Sequence, residues 1–180
     1  MSNINWIDST LRFDPKSADP FATHGIPLPV YGLYGGPNWS AGQIGGTVTP
    51  TSPAGLDPLD ALFKTHDLVY QTTQDPLARA TADVQLVENM YALTFTDPGD
   101  PNYDPEAGLY EGFATLGIVA QLAAGGFLQN LPLQDQILIA AATQEAIVNF
   151  EAGLAEVPGE AKSLHGALHV FEHQYLDFLL

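Results

Sequence analysis

Cysteine is absent from this sequence and cations are nearly so: 5 Lys and Arg stand against 21 Asp and Glu, a formal charge of −16 over 180 residues. The first absence excludes disulfide staples, thiolate nucleophiles and cysteine-ligated zinc or iron–sulfur centres. It leaves the redox compartment open. The second argues against a reader of phosphate backbone, which needs a basic face that five scattered cations cannot build, so no nucleic-acid partner is expected. The same deficit argues against an electrostatic dock on anionic lipid. Charged residues of either sign are scarce, at 14% against about 25% in an average domain, whereas 46% of the chain is hydrophobic. That is not an acidic disordered tail; it is enough apolar material for one buried core and a single domain over residues 1–180.

Long apolar runs are missing as well. The opening MSNINWIDSTLRFDP has neither a basic start nor an apolar stretch, so no conventional N-terminal signal peptide is expected. The most apolar segment, Gly112 to Leu128, is 17 residues long with Gln121 and four glycines inside it. It falls short of the roughly 20 residues needed to span a bilayer. A buried helix, and no transmembrane segment, is the expectation.

Residues 1–55 show no long helical period and are rich in Gly, Pro, Ser and Thr, which predicts an irregular N-terminal arm with a glycine-rich turn at Tyr31–Gly46. From Leu56 the pattern changes. Asp57-Pro58 is an N-cap followed by proline at the first helical position, and Asp60 sits in the first turn against the positive helix end. Leu59, Leu62, Phe63, His66, Val69 and Tyr70 then recur at helical spacing. Asp75-Pro76 repeats the cap chemistry, and Ala80, Val84, Val87 and Tyr91 follow on a second helix with Asp83 on the same face. After the acidic, proline-bearing segment Asp97–Glu106, helices are predicted near 107–124, 134–153 and 160–178, broken by Gly125-Gly126 and Pro158-Gly159. The expected fold class is all-α, about five helices with little strand.

With the first two helices taken as an antiparallel hairpin about a turn at Gln74–Asp75, His66 and Asp83 are equidistant from the turn and face each other. A carboxylate there can fix the imidazole tautomer and support its protonated form. Tyr70, one turn from His66, is placed to donate its hydroxyl to the same carboxylate. A hydrogen-bonded core histidine would satisfy the same pattern. Asp67 is rotated about 100° from His66 around the helix, toward whatever covers that flank. The turn Tyr31-Gly-Leu-Tyr34-Gly-Gly36-Pro-Asn38 is the candidate cover. Inward carbonyls plus one carboxylate make a hard oxygen site for Ca²⁺, although an ordinary glycine-rich turn fits the composition equally.

The segment Asp57-Pro-Leu-Asp60-Ala-Leu-Phe-Lys-Thr-His66-Asp67-Leu-Val-Tyr70 resembles the active-site helix of the secreted phospholipase A2 family, Asp-x-x-Asp-x-Cys-Cys-x-x-His-Asp-x-Cys-Tyr. Leu62, Phe63 and Val69 stand where that family has cysteines. Tyr31-Gly-Leu-Tyr34-Gly-Gly36 is similar to its calcium loop, Tyr-Gly-Cys-Tyr-Cys-Gly, and Ala82-Asp83 to the Ala/Cys-Asp pair of the opposing helix. The likeness spans residues 31–91. It resembles a cysteine-free, prokaryotic- or parvovirus-like branch; the parvovirus capsid proteins share the loop Gly-Pro and the His-Asp-x-x-Tyr helix. It implies a phospholipase A2-like antiparallel helix hairpin with a calcium loop, extended by additional C-terminal helices over 107–180.

The resemblance also implies chemistry: calcium-dependent hydrolysis of the sn-2 ester of glycerophospholipids at a membrane or micelle surface. His66 would be the general base, Asp83 its orienting partner and Tyr70 a donor to Asp83. Asp67 would bind Ca²⁺ with the backbone carbonyls of Tyr34, Gly36 and Asn38. Asn38-Trp39 departs from the family's further glycine pair at that point. A secreted or exported protein without a classical signal peptide, or otherwise a cytoplasmic one, is the matching expectation. The alternative is a non-catalytic calcium- or lipid-binding helical module.

Other features carry less. Trp39, Phe21, Ile26 and Leu28 lie near the loop in sequence and could insert into lipid. His165, His169 and His173 recur at i, i+4, i+8, a spacing that can bind zinc, but they flank the apolar stripe Leu164, Leu168, Phe171, Tyr175, Phe178. Asp97, Asp100, Asp104 and Glu106 lack an Asp-x-Asp-x-Asp-Gly pattern and read as a solvated turn. Asn38-Trp39-Ser40-Ala41-Gly42 is one glycine short of a serine-hydrolase elbow.

Overall fold

Three aspartate–proline pairs start three of the four helices in the computed structural model, which describes residues 4–6, 12–13, 26–27 and 29–157. Asp57 caps α1 (Pro58–Thr72), its carboxylate accepting from the Asp60 N–H. Asp75 caps α2 (Pro76–Tyr91), and Asp104 caps α3 (Pro105–Ala124), each accepting from two N–H groups of the first turn. Proline at N1 has no N–H to satisfy and a backbone angle already helical, so each start is chemically defined. The fourth helix, α4 (Leu133–Glu156), begins after Pro132 with no side-chain cap. A short 3₁₀ turn at Leu128–Asn130 precedes it. The helix expected over 160–178, and with it His165, His169 and His173, lies outside the described residues.

The all-α expectation is corrected by three antiparallel two-stranded ladders. Strand β1 (Ile4–Trp6) pairs with β4 (Pro29–Tyr31), with Ile4 opposite Tyr31. β2 (Arg12–Phe13) pairs with β3 (Ile26–Pro27). β5 (Trp39–Ser40) pairs with β6 (Gln43–Ile44) across Ala41-Gly42, both at positive φ (52° and 77°). Positive φ at both central residues is the turn whose twist suits a two-residue hairpin. Two or three residues cannot display an alternation, and β1 meets β4 from far along the chain. These strands therefore leave no periodic trace in the sequence.

One apolar cluster joins the pieces: Tyr31 and Tyr34 from the arm, Leu59 and Phe63 from α1, Val87 and Met90 from α2, Leu109 and Leu122 from α3, and Ile139 and Phe150 from α4. Tyr31 stacks on Tyr110 of α3 at 5.1 Å, with Phe63 edge-on to Tyr110 at 5.7 Å. α3 and α4 pack tightly at Gly112, where a β-carbon would lie 2.4 Å from the Ala146 carbonyl oxygen. Both helices are long and apolar enough to cross a membrane by length and composition, at mean hydropathy 1.2; 56% of the α3 window is buried inside the fold.

Between α3 and α4 lies a buried acid. Glu111 accepts from Thr115 Oγ1 at 2.9 Å and from Asn149 Nδ2 at 2.9 Å. Burial pushes its carboxyl above the ordinary 4.5; the bonds from Asn149 and Thr115 pull it down less, and Glu145 adds to the rise. The folded protein thus holds this proton more tightly than the unfolded chain. Stability from this group is full in acid and is lost as pH rises from about 4.5 through the raised folded value. The difference in urea-unfolding free energy between wild type and Glu111→Gln, measured from pH 4 to 8, is expected to shift steadily in favour of the variant as pH rises. A flat difference curve would contradict this.

Candidate active site

Helical spacing on α1 puts His66 and Tyr70 one turn apart on one face, their ring centroids 4.4 Å apart. α2 returns after a short turn and presents Asp83 to both. His66 Nε2 lies 2.7 Å from Asp83 Oδ1. Because a carboxylate only accepts, Nε2 carries the hydrogen and Nδ1 keeps its lone pair. Tyr70 donates its hydroxyl to both oxygens of Asp83, at 2.8 and 2.9 Å. Asp83 is buried and His66 retains 16% side-chain exposure, so the pair is sheltered but reachable.

Two residues that the sequence reading did not single out complete the arrangement. Arg79 of α2 donates to the Tyr70 carbonyl at 3.2 Å and the Thr73 carbonyl at 3.0 Å, closing the C-terminal end of α1. Its guanidinium lies 4.8 Å from the Tyr70 ring centre and holds that ring in place. From α3, Gln121 Nε2 donates to the Tyr70 hydroxyl oxygen at 3.0 Å and approaches Asp83 Oδ2 at 3.4 Å. Arg79 could have been suspected as one of few cations, placed just after the interhelical turn. Gln121 left no sequence signal, since a glutamine in an apolar helix announces no partner.

The electrostatics make His66 a stronger base than a free imidazole. Burial alone would lower the His66 pKa, but the carboxylates of Asp67 and Asp83 outweigh it and hold the value above the ordinary 6.5. The nearer Asp67 oxygen stands 3.9 Å from His66 Nδ1, beyond a direct hydrogen bond. Burial and the bond to Asp83 push the Tyr70 phenol well up, so it remains a donor at neutral pH.

The arm is pinned to α1 through Asp60. Its carboxylate is fully buried and accepts from the N–H groups of Leu33 (3.0 Å), Tyr34 (2.8 Å) and Leu56 (2.9 Å). Gly32, at φ +54°, must be glycine, because a β-carbon there would stand 2.4 Å from Asp60 Cγ. The Tyr31 hydroxyl donates to Asp57 at 2.6 Å, and the buried Tyr34 reaches the Pro53 carbonyl at 2.6 Å.

Beyond Tyr34 the expected calcium loop is corrected. The Gly36 carbonyl accepts from the Trp39 N–H at 3.2 Å, and the Asn38 carbonyl from the Gly45 N–H at 2.7 Å. Trp39 pairs with Ile44 in the β5–β6 hairpin, and its indole N–H bonds the Gly32 carbonyl at 3.2 Å. The Ser40 hydroxyl donates to the Asp67 carboxylate. Asn38-Trp39 favours this hairpin where a glycine pair would leave the chain free to curl inward, so turn and ladder bonds engage the Gly36 and Asn38 carbonyls. Among the described residues no group of three or more His, Cys, Asp or Glu is placed to hold a metal. Gly36, Asn38 and Asp67 nevertheless line one cleft of about 220 Å³ beside Tyr70; Tyr34 is not among its walls.

The remaining candidates are accounted for locally. Asp97 and Asp100 accept from the N–H groups of Gly99 and Asn102, both at 2.7 Å, and Asp104 caps α3. Among the lipid-insertion candidates, Trp39 is half-buried in its hairpin, Ile26 is described by its backbone alone, and Phe21 and Leu28 lie outside the described residues. His66 does not itself line the cleft, but Asp67 and Tyr70 of the same helix do. A histidine with one nitrogen bonded to a carboxylate and the other not can take a proton from water or a hydroxyl and return it. Compared with protein families, curated proteins and solved structures, the chain finds no match.

Proposed function

We propose that this chain is a phospholipase A2-like hydrolase acting on the sn-2 ester of glycerophospholipids. The observation that carries the reading is the 2.7 Å bond between His66 Nε2 and a buried Asp83, which Tyr70 also grips. In this reading His66 Nδ1 removes a proton from water as the water oxygen attacks the ester carbonyl, and Asp83 stabilises the imidazolium that forms. Collapse of the tetrahedral intermediate breaks the bond to the glycerol oxygen. His66 returns its proton there, giving a fatty acid and a lysophospholipid.

The side chains around the cleft offer hard oxygens, which suits Ca²⁺: the Asp67 carboxylate would hold it once the Ser40 hydroxyl is displaced. Calcium would supply Lewis-acid polarisation of the ester carbonyl without a cationic side chain. One carboxylate implies weak affinity, on the order of 10⁻⁴–10⁻³ M. A non-catalytic cation- or lipid-binding module would use Asp67 but has no need of the His66–Asp83–Tyr70 relay.

The test is a phospholipid labelled separately in its two chains, presented in vesicles with millimolar Ca²⁺. Label is expected from the sn-2 chain alone, to stop with a chelator and to resume when Ca²⁺ is restored. Release from both chains or from neither would sink the reading; release that ignores the chelator would remove calcium from it.

A further inference from the structure

The cleft beside Asp67 has a chemistry of its own. Besides Asp67, its walls include Asn38, Trp39, Tyr70, Gln71 and Gln74. At about 220 Å³ it is smaller than the roughly 300–1,000 Å³ of pockets that enclose drug-sized ligands, so it suits a headgroup and not an acyl chain. No lysine or arginine lines it. The two cations of α1 and α2 are both committed to carbonyl oxygens: Lys64 to Ser52 at 2.6 Å, and Arg79 to Tyr70 and Thr73. The phosphate that all these lipids share would be engaged by calcium on Asp67; beyond it an anionic headgroup finds no lysine or arginine on the walls. An ammonium group finds walls that include the neutral amides Asn38, Gln71 and Gln74 and the aromatic Trp39. Trp is the aromatic ring that attracts quaternary ammonium best.

We infer that this cleft reads the headgroup and selects zwitterionic phosphocholine over an anionic headgroup such as phosphoglycerol. The phosphate itself, common to every glycerophospholipid, does not discriminate. As a statement about substrate this rests on the esterase reading above; as a statement about binding it stands alone.

Vesicles of phosphatidylcholine and of phosphatidylglycerol separate the outcomes. Wild type is expected to hydrolyse phosphatidylcholine at least about tenfold faster, and Gln74→Lys, an exposed substitution in the turn between α1 and α2, to narrow that ratio severalfold. Trp39→Phe, which keeps an aromatic ring in the hairpin, should retain more of the preference than Trp39→Ala. Faster or equal hydrolysis of phosphatidylglycerol by wild type overturns the inference. A parallel titration uses soluble phosphocholine and glycerol phosphate against a Trp6→Phe background, in which Trp39 is the remaining tryptophan reporter. Saturation of its fluorescence by phosphocholine and not by glycerol phosphate is the expected result. If neither lipid is cleaved, the esterase reading fails and the titration decides the cleft by itself; equal response to both small molecules, or to neither, overturns it.

Discussion

Replacing His66 by alanine is expected to lower kcat for sn-2 ester hydrolysis by about 10²–10⁴-fold while KM changes little, the usual scale for removing a general base. The expectation follows from the geometry. His66 Nε2 is tied to Asp83, which leaves Nδ1, 3.9 Å from Asp67 Oδ1, as the nitrogen that can take a proton. Asp83→Asn should also lose most of the rate, because an amide can donate to Nε2 and so invert the tautomer that leaves Nδ1 basic. Residues that act as one unit are not additive, so the double variant is expected to fall no further than His66→Ala alone. Circular dichroism separates this from misfolding, since His66 is only partly buried and its loss leaves the core cluster untouched. Wild-type turnover by His66→Ala would end the catalytic reading and restore the plainer one, a hydrogen-bonded histidine at a helix interface.

The largest effect on stability is expected at Asp60. Three backbone N–H groups end on its carboxylate, and none of the residue reaches solvent (0% exposure). In Asp60→Ala those donors lose their acceptor, and a buried donor left without one costs about 1–3 kcal/mol. Partial relaxation and water entry reduce the sum, so a loss of about 3–5 kcal/mol is expected, read as a lowered urea midpoint with an unchanged slope. Asp60→Asn keeps one acceptor oxygen and should lose less. The same substitutions detach Leu33 and Tyr34 from α1, so activity should fall at temperatures where the fold is still intact. A fall of less than about 1 kcal/mol in Asp60→Ala would show that the arm is held elsewhere.

The aspartate–proline pairs at 57–58, 75–76 and 104–105 mark helix starts through local chemistry, within four residues, and the apolar spacing of α1 and α2 follows from a constant rise and turn. That regularity brings His66, Tyr70 and Asp83 together: a short turn between two helices leaves little freedom in which residues face each other. The third cap at Asp104 was equally readable, and it places the start of α3 at Pro105, two residues before the predicted 107. The loop offers the contrast. Its glycines suggested carbonyls turned toward a cation, yet two of the three proposed carbonyls are taken by backbone partners, and Asp67 by a serine.

The scarcity of cysteine and cations, the capped helices and the facing of His66 with Asp83 were determined by the sequence alone, because each depends on composition or on contacts along or between two adjoining helices. Only the tertiary structure decided that the arm forms ladders, that Asp60 anchors it, that Ser40 caps Asp67, and that Gln121 reaches Tyr70 across 51 residues of chain. Those contacts join groups far apart in sequence. They form because burial of Tyr31, Tyr34, Phe63 and Tyr110 in a shared core brings the segments together, and each buried polar group must then find a partner within reach. No periodicity in the chain records which partner that is.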